Sequence, residues 1–180
     1  MVNALHAEVS EKVAVLRGLL DHGDEFEFIA DFPVGVDLDR DSILEGYNET
    51  LGISVPEGLV DLYAITAGPQ ADSIELFSAF SKGELFDSNG EIYRADEHWL
   101  TVGLIGNDKF LVSLTTGEVL FADQYYWRYG ESDSSRLVAP DMLTFFNECM
   151  IGPRYREFID PEESDDPTGW YRFIQDNRLF

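Results

Sequence analysis

The sequence predicts an α+β fold, with an antiparallel or mixed sheet built on a β-meander and flanked by helices. Three observations carry that expectation. Apolar residues recur at helical spacing through residues 4–20 and again after Pro140. Between Ser73 and Gln124 the period shortens to that of strands. Turn-forming Gly, Asn and Asp residues punctuate that middle stretch. At 180 residues and 44% hydrophobic composition, the chain suits one domain spanning 1–180, with a core large enough to need no disulfide.

Leu5, Val9, Val13, Leu16 and Leu20 share one helical face, with Glu8, Glu11, Lys12 and Arg17 between them, and Gly23 is a stop. Phe26, Phe28, Ala30 and Phe32 fall at alternate positions, with the acids Glu27 and Asp31 among the residues between them, as a short extended segment that ends at Pro33. Asp41 is placed to cap a helix running through Ile43, Leu44, Tyr47 and Leu51, which Gly52 closes. Pro56 opens the next helix, because a first-turn residue has no intrahelical use for its N–H; Leu59, Leu62 and Tyr63 share its inner face.

Ile74, Leu76 and Phe77 form a short apolar run, and Glu91 to Arg94 another. Trp99 to Ile105, Phe110 to Leu114 and Glu118 to Ala122 then read as three strands, joined by turns at Gly106-Asn107-Asp108 and Thr116-Gly117. Pro140 and Asp141 start a helix whose Met142, Leu143, Phe145, Phe146 and Met150 cover the sheet until Gly152-Pro153. An acidic, proline-bounded loop at 160–167 precedes a closing segment whose Trp170, Phe173, Ile174, Leu179 and Phe180 dock on the domain.

Charge narrows the function classes. Thirty-five acids against 12 bases leave a formal net charge of −23. Such a surface repels phosphate, so direct nucleic-acid binding and adhesion to anionic membranes are not expected. No spanning run and no signal peptide is recognisable, and the single Cys149 fits a reducing cytoplasm. The acidity is concentrated: residues 21–97 hold 19 acids and three bases, a balance of −16. Two explanations stand side by side, electrostatic steering of a basic protein partner and simple solubility.

Catalytic chemistry has little to build on. Asp37, Asp39 and Asp41 resemble the opening of a calcium loop, but Ser42 stands where glycine is needed and Asn48 where a bidentate glutamate belongs. Cys149 with His98 forms no local nucleophile signature, and Asp96-Glu97-His98 are too close in sequence to converge on one ion. The sequence therefore predicts no enzyme, catalytic residue, metal or cofactor. The partner-binding candidates are Asp37, Asp39, Asp41, Asp72, Asp87, Glu91, Asp96 and Glu97, joined by Tyr125, Tyr126 and Trp127. The aromatic run suits either an interface anchor or a strand end lying against the covering helix.

The order of these features resembles the SUKH superfamily, named in part for yeast regulators of cell-wall synthesis. Leu51-Gly52-Ile53-Ser54-Val55-Pro56, then Asp61-Leu62-Tyr63 and Ala67-Gly68, is similar to that family's LG-x-x-[LV]-P block, with Ala67 where Asn is usual. Residues 105–119 resemble its G-[DN]-x-[FY] block, with Ser113 where Asp is common, and Leu143 to Phe146 resembles its late helix. The resemblance implies a SUKH-like α+β domain without catalytic activity. It also implies an immunity protein that binds and blocks a cognate bacterial toxin, in many cases a nuclease. The alternative it implies is a regulatory or scaffolding protein with an endogenous partner.

Overall fold

In a computed structural model of the chain, the described residues are 4–21, 26, 28–34, 40–78, 99–122, 135–158 and 169–180. Helix α1 (Ala4–Leu20) buries Val9, Val13 and Leu16, the i, i+4, i+7 stripe that the sequence pattern marks. Strand β1 (Ala30–Asp31) follows, then α2 (Arg40–Leu51) and α3 (Glu57–Ile65). Gly52 adopts a φ of 71° just past α2, and Pro56 sits at the N-cap of α3. Gly52 closes the helix as expected, and Pro56 opens α3 from the cap position, one residue before the first turn to which the sequence assigns it. Two further details differ. Helix α2 begins at Arg40, which puts Asp41 in the first turn rather than at the cap, and Leu44 is 36% exposed while Ile43 and Tyr47 on the neighbouring line are buried.

The remaining strands are β2 (Gln70–Ala71), β3 (Ile74–Leu76), β4 (Trp99–Ile105), β5 (Asp108–Ser113), β6 (Val119–Ala122) and β7 (Ser135–Ala139). All neighbours are antiparallel, and the seven strands lie side by side in sequence order. The meander expected over β4 to β6 is present, with Gly106 at φ 58° in the first turn and Gly117 at φ 80° in the second. Those left-handed positions are where a side chain is disfavoured. The strand expected at 91–94 and the acidic loop at 160–167 lie outside the described residues.

Beyond β7, Asp141 caps α4 (Met142–Phe145): its carboxylate accepts from the Thr144 N–H at 2.7 Å. The helix then widens into a π-helical turn, Phe146–Met150, followed by a 3-10 segment, Pro153–Phe158. Helix α5 (Trp170–Asp176) docks as expected of the closing segment, burying Trp170 and Ile174, and Leu179 beyond it is buried too, although Phe180 is 42% exposed.

One main core joins the helices to a single face of the sheet, with Val9, Val13, Tyr47, Leu62, Val102 and Val112 among its members. On that face Phe110 packs against Phe145 at 4.7 Å, with Phe121 and Phe158 each 5.4 Å away. On the other face, Leu111 and Ala122 form a small second cluster with Trp99 and Leu120.

Candidate binding surface

The solvent face of α2 is built by its own periodicity. Ile43 and Tyr47 point inward and anchor the helix on α3, so the residues one position away in rotation must face water. Those include Asp41, Leu44, Glu45 and Asn48, all exposed. Asp41 and Glu45 stand one turn apart, and Glu49 follows one turn later, so like charges repeat along one line of the helix. Like charges at this spacing repel by a few tenths of a kcal/mol per pair. With Ile53 and Ser54, these side chains enclose an open groove of about 440 Å³. Leu44 is an apolar contact between two carboxylates.

The bases do little to neutralise this face. Arg40 is bound to Asp61, with Glu57 4.0 Å away, and neither Asp41 nor Glu45 has an ion-pair partner among the described residues. Several other described cations are engaged within the fold. Arg17 donates to the carbonyls of Phe32, Pro33 and Ile65 at 2.6, 2.7 and 3.0 Å. Lys12 pairs with Glu8 at 2.8 Å, Arg154 pairs with Glu157 at 2.7 Å and Glu148 at 3.3 Å, and Arg136 lies 5.1 Å above the Phe158 ring. The hydrogen bond from Arg154 is the main reason the Glu157 carboxyl titrates below its ordinary range.

Of the expected partner-binding residues, only Asp41 and Asp72 are described. Asp72 lies in the β2–β3 turn at φ 51°, where its carboxylate accepts from the Tyr155 hydroxyl at 2.9 Å and the Ser73 hydroxyl at 2.8 Å. It is half-buried and tied to its own fold, on a different element from Asp41. Asp37, Asp39, Asp87, Glu91, Asp96, Glu97, Tyr125, Tyr126 and Trp127 lie outside the described residues. Glu45 and Glu49 extend the Asp41 line and were missed by sequence reasoning, although their i, i+4, i+8 spacing was available as a signal.

Cys149 is fully buried on the π-helical turn, and burial pushes its thiol up to about 12. At neutral pH it is a core thiol with almost no thiolate, which is the wrong state for a nucleophile. His98 lies outside the described residues. Among the described residues there is no group of three or more metal-ligating side chains, and no helix is long and apolar enough to cross a membrane. No family model matches the sequence, and no curated protein matches it.

Proposed function

We propose that this chain is a non-catalytic binding domain that neutralises a basic protein, an immunity protein whose cognate bacterial toxin is a nuclease. The observation that supports it most is the solvent face of α2, where Asp41 and Glu45 flank an exposed Leu44 and no described base balances them, on a chain of net charge −23. A nuclease presents Lys and Arg to nucleic acid. An acidic face with an apolar contact at its centre occupies that surface in place of phosphates, and the carboxylates steer the approach. The resemblance to the SUKH superfamily supports the immunity reading over a purely solubilising role for the charge.

The test is stopped-flow association with the nuclease domain encoded beside this chain, comparing wild type with a variant carrying Asp41→Lys and Glu45→Lys. The wild-type rate falls as salt rises, because the field decays over a Debye length of about 8 Å near physiological ionic strength. The variant should associate about tenfold or more slowly at low salt and converge on wild type at high salt. Equal rates at low salt would sink the steering role of α2. A neighbouring gene product without a basic surface would leave solubility as the explanation of the charge.

A further inference from the structure

The two edges of the sheet are finished differently. At β7 the Val138 carbonyl accepts from Arg154 Nη1 at 2.7 Å, so a cationic side chain takes that edge carbonyl. At β1 the ladder leaves an opening. Ala30 pairs with Ala71 and Asp31 with Gln70, and the Asp72 N–H donates to the Ile29 carbonyl. Hydrogen-bonded pairs alternate with non-bonded pairs in an antiparallel ladder. With 29 and 72 bonded, Ala30 and Ala71 are a non-bonded pair, and both backbone groups of Ala30 point away from β2. The Phe32 carbonyl points the same way and is taken by Arg17 Nε at 2.6 Å. Ala30 has no such cap among the described residues.

Ala30 lines a groove of about 550 Å³ between β1 and the last turn of α1, together with Arg17, Leu20, Asp21, Asp31 and Val34 among others. Val34 is 63% exposed, and Asp21 and Asp31 are exposed at the rim. An unpaired donor and acceptor beside apolar side chains match an extended strand, whose own N–H and C=O are available; a helix has already spent its backbone groups.

We propose that this groove takes an extended, basic segment of the protein partner, which adds a strand to β1 through Ala30. An apolar side chain of that segment rests on Leu20 and Val34, and flanking Lys or Arg residues meet Asp21 and Asp31. Charge complementarity selects a basic segment over an acidic one, since the two carboxylates Asp21 and Asp31 outnumber the single Arg17 along the groove and residues 21–97 carry −16. This inference rests on the reading of the partner as basic and places a second contact away from α2.

The experiment uses the full chain labelled with 15N and two capped hexapeptides, one alternating Lys and Val and the other alternating Glu and Val. The Lys–Val peptide should shift the amide resonances of Gly18, Ala30 and Asp31 saturably, and the Glu–Val peptide should not. Two variants separate the groove from folding. Ala30→Pro removes an outward N–H and fixes φ, a change that an edge strand tolerates. Gly18→Arg fills the groove from a position where an added Cβ meets nothing within 4 Å. Each should weaken the Lys–Val peptide by about tenfold, a free-energy loss of about 1.4 kcal/mol, while Gly18→Arg does not lower the urea midpoint. Undiminished binding by both variants, or no shift at β1, overturns the groove. Saturable shifts confined to Asp41 and Glu45 overturn the groove and leave the basic-partner reading standing. Equal binding of the Glu–Val peptide overturns the charge argument that both share.

Discussion

Gly103 on β4 is the position where the tertiary structure forbids a side chain most sharply. A Cβ built there lies 2.3 Å from the Glu75 carbonyl oxygen and 2.6 Å from Leu76 Cδ2, with Leu76 Cα at 3.1 Å. The obstacle is mostly backbone of the neighbouring strand, so a change of rotamer cannot relieve it. Gly103→Ala must push β3 away from β4 by about 1 Å to restore ordinary van der Waals spacing. That movement strains the Leu76 N–H bond to Pro69 at 3.0 Å and the Phe77 N–H bond to Val102 at 2.8 Å. Overpacking costs about 1–3 kcal/mol, and two weakened backbone bonds add about 0.5–1.5 kcal/mol each. The expected loss is therefore about 2–6 kcal/mol. Urea unfolding followed by circular dichroism reads it as a midpoint lowered by about 1 M or more, for a slope near 2 kcal/mol/M. An unchanged midpoint and slope would refute the packing of β3 on β4 at this residue and the strand order that depends on it.

Gly106→Val should cost about 1 kcal/mol or more, because φ 58° is unfavourable for a β-branched residue although the space around it is open; an unaltered urea midpoint would contradict the left-handed turn. Trp170→Ala should cost about 3–5 kcal/mol, because it empties a fully buried site and leaves the Met150 carbonyl at the end of the π-helical turn without its indole donor at 2.9 Å. Near-ultraviolet circular dichroism and the thermal midpoint would report it, and a loss below about 1 kcal/mol would mean that α5 does not seal this core. Stability should fall as pH rises above about 9. Burial raises the Cys149 thiol to about 12 and raises the Tyr47 and Tyr63 hydroxyls as well. The unfolded chain then loses protons that the folded chain keeps, so the stability present below the unfolded pKa values is lost through that window. Flat urea midpoints from pH 8 to 11 would show that these groups reach water in the native state.

Local physics made much of the fold legible. The stripe of Val9, Val13 and Leu16 specifies a helix face, Pro56 and Asp141 mark helix starts, and Gly106 and Gly117 mark turns; each depends on a residue's own geometry or its neighbours within one turn. The short strands were not legible in this way. Gln70–Ala71 is too short to establish a period of two and Ser135–Ala139 does not alternate, and they are strands because β1, β3 and β6 lie beside them. The π-helical widening at Phe146–Met150 is likewise invisible in a pattern of Phe and Met that suits an ordinary helix. For the binding surface, the sequence supplied the sign of the charge and Asp41. It did not separate an acid that faces solvent alone from one like Asp72, whose carboxylate is bound by a tyrosine 83 residues away.

The sequence by itself determined the α+β class, the central meander, the starts of the principal helices and an acidity concentrated in the first half of the chain. These follow from spacing, turn chemistry and net charge, which are properties of the chain before it folds. Tertiary structure alone decided which side chains are spent on the fold and which face solvent. It turned Leu44 outward between Asp41 and Glu45 and committed Arg17, Arg136 and Arg154 to carbonyls, rings and carboxylates. Among the described residues it also left the outward backbone groups of Ala30 without a partner at one edge of the sheet, while Arg154 takes the Val138 carbonyl at the other. The reason is that a charge or a backbone group becomes available for binding only after the partners within its own fold are satisfied, and those partners are brought together by long-range packing.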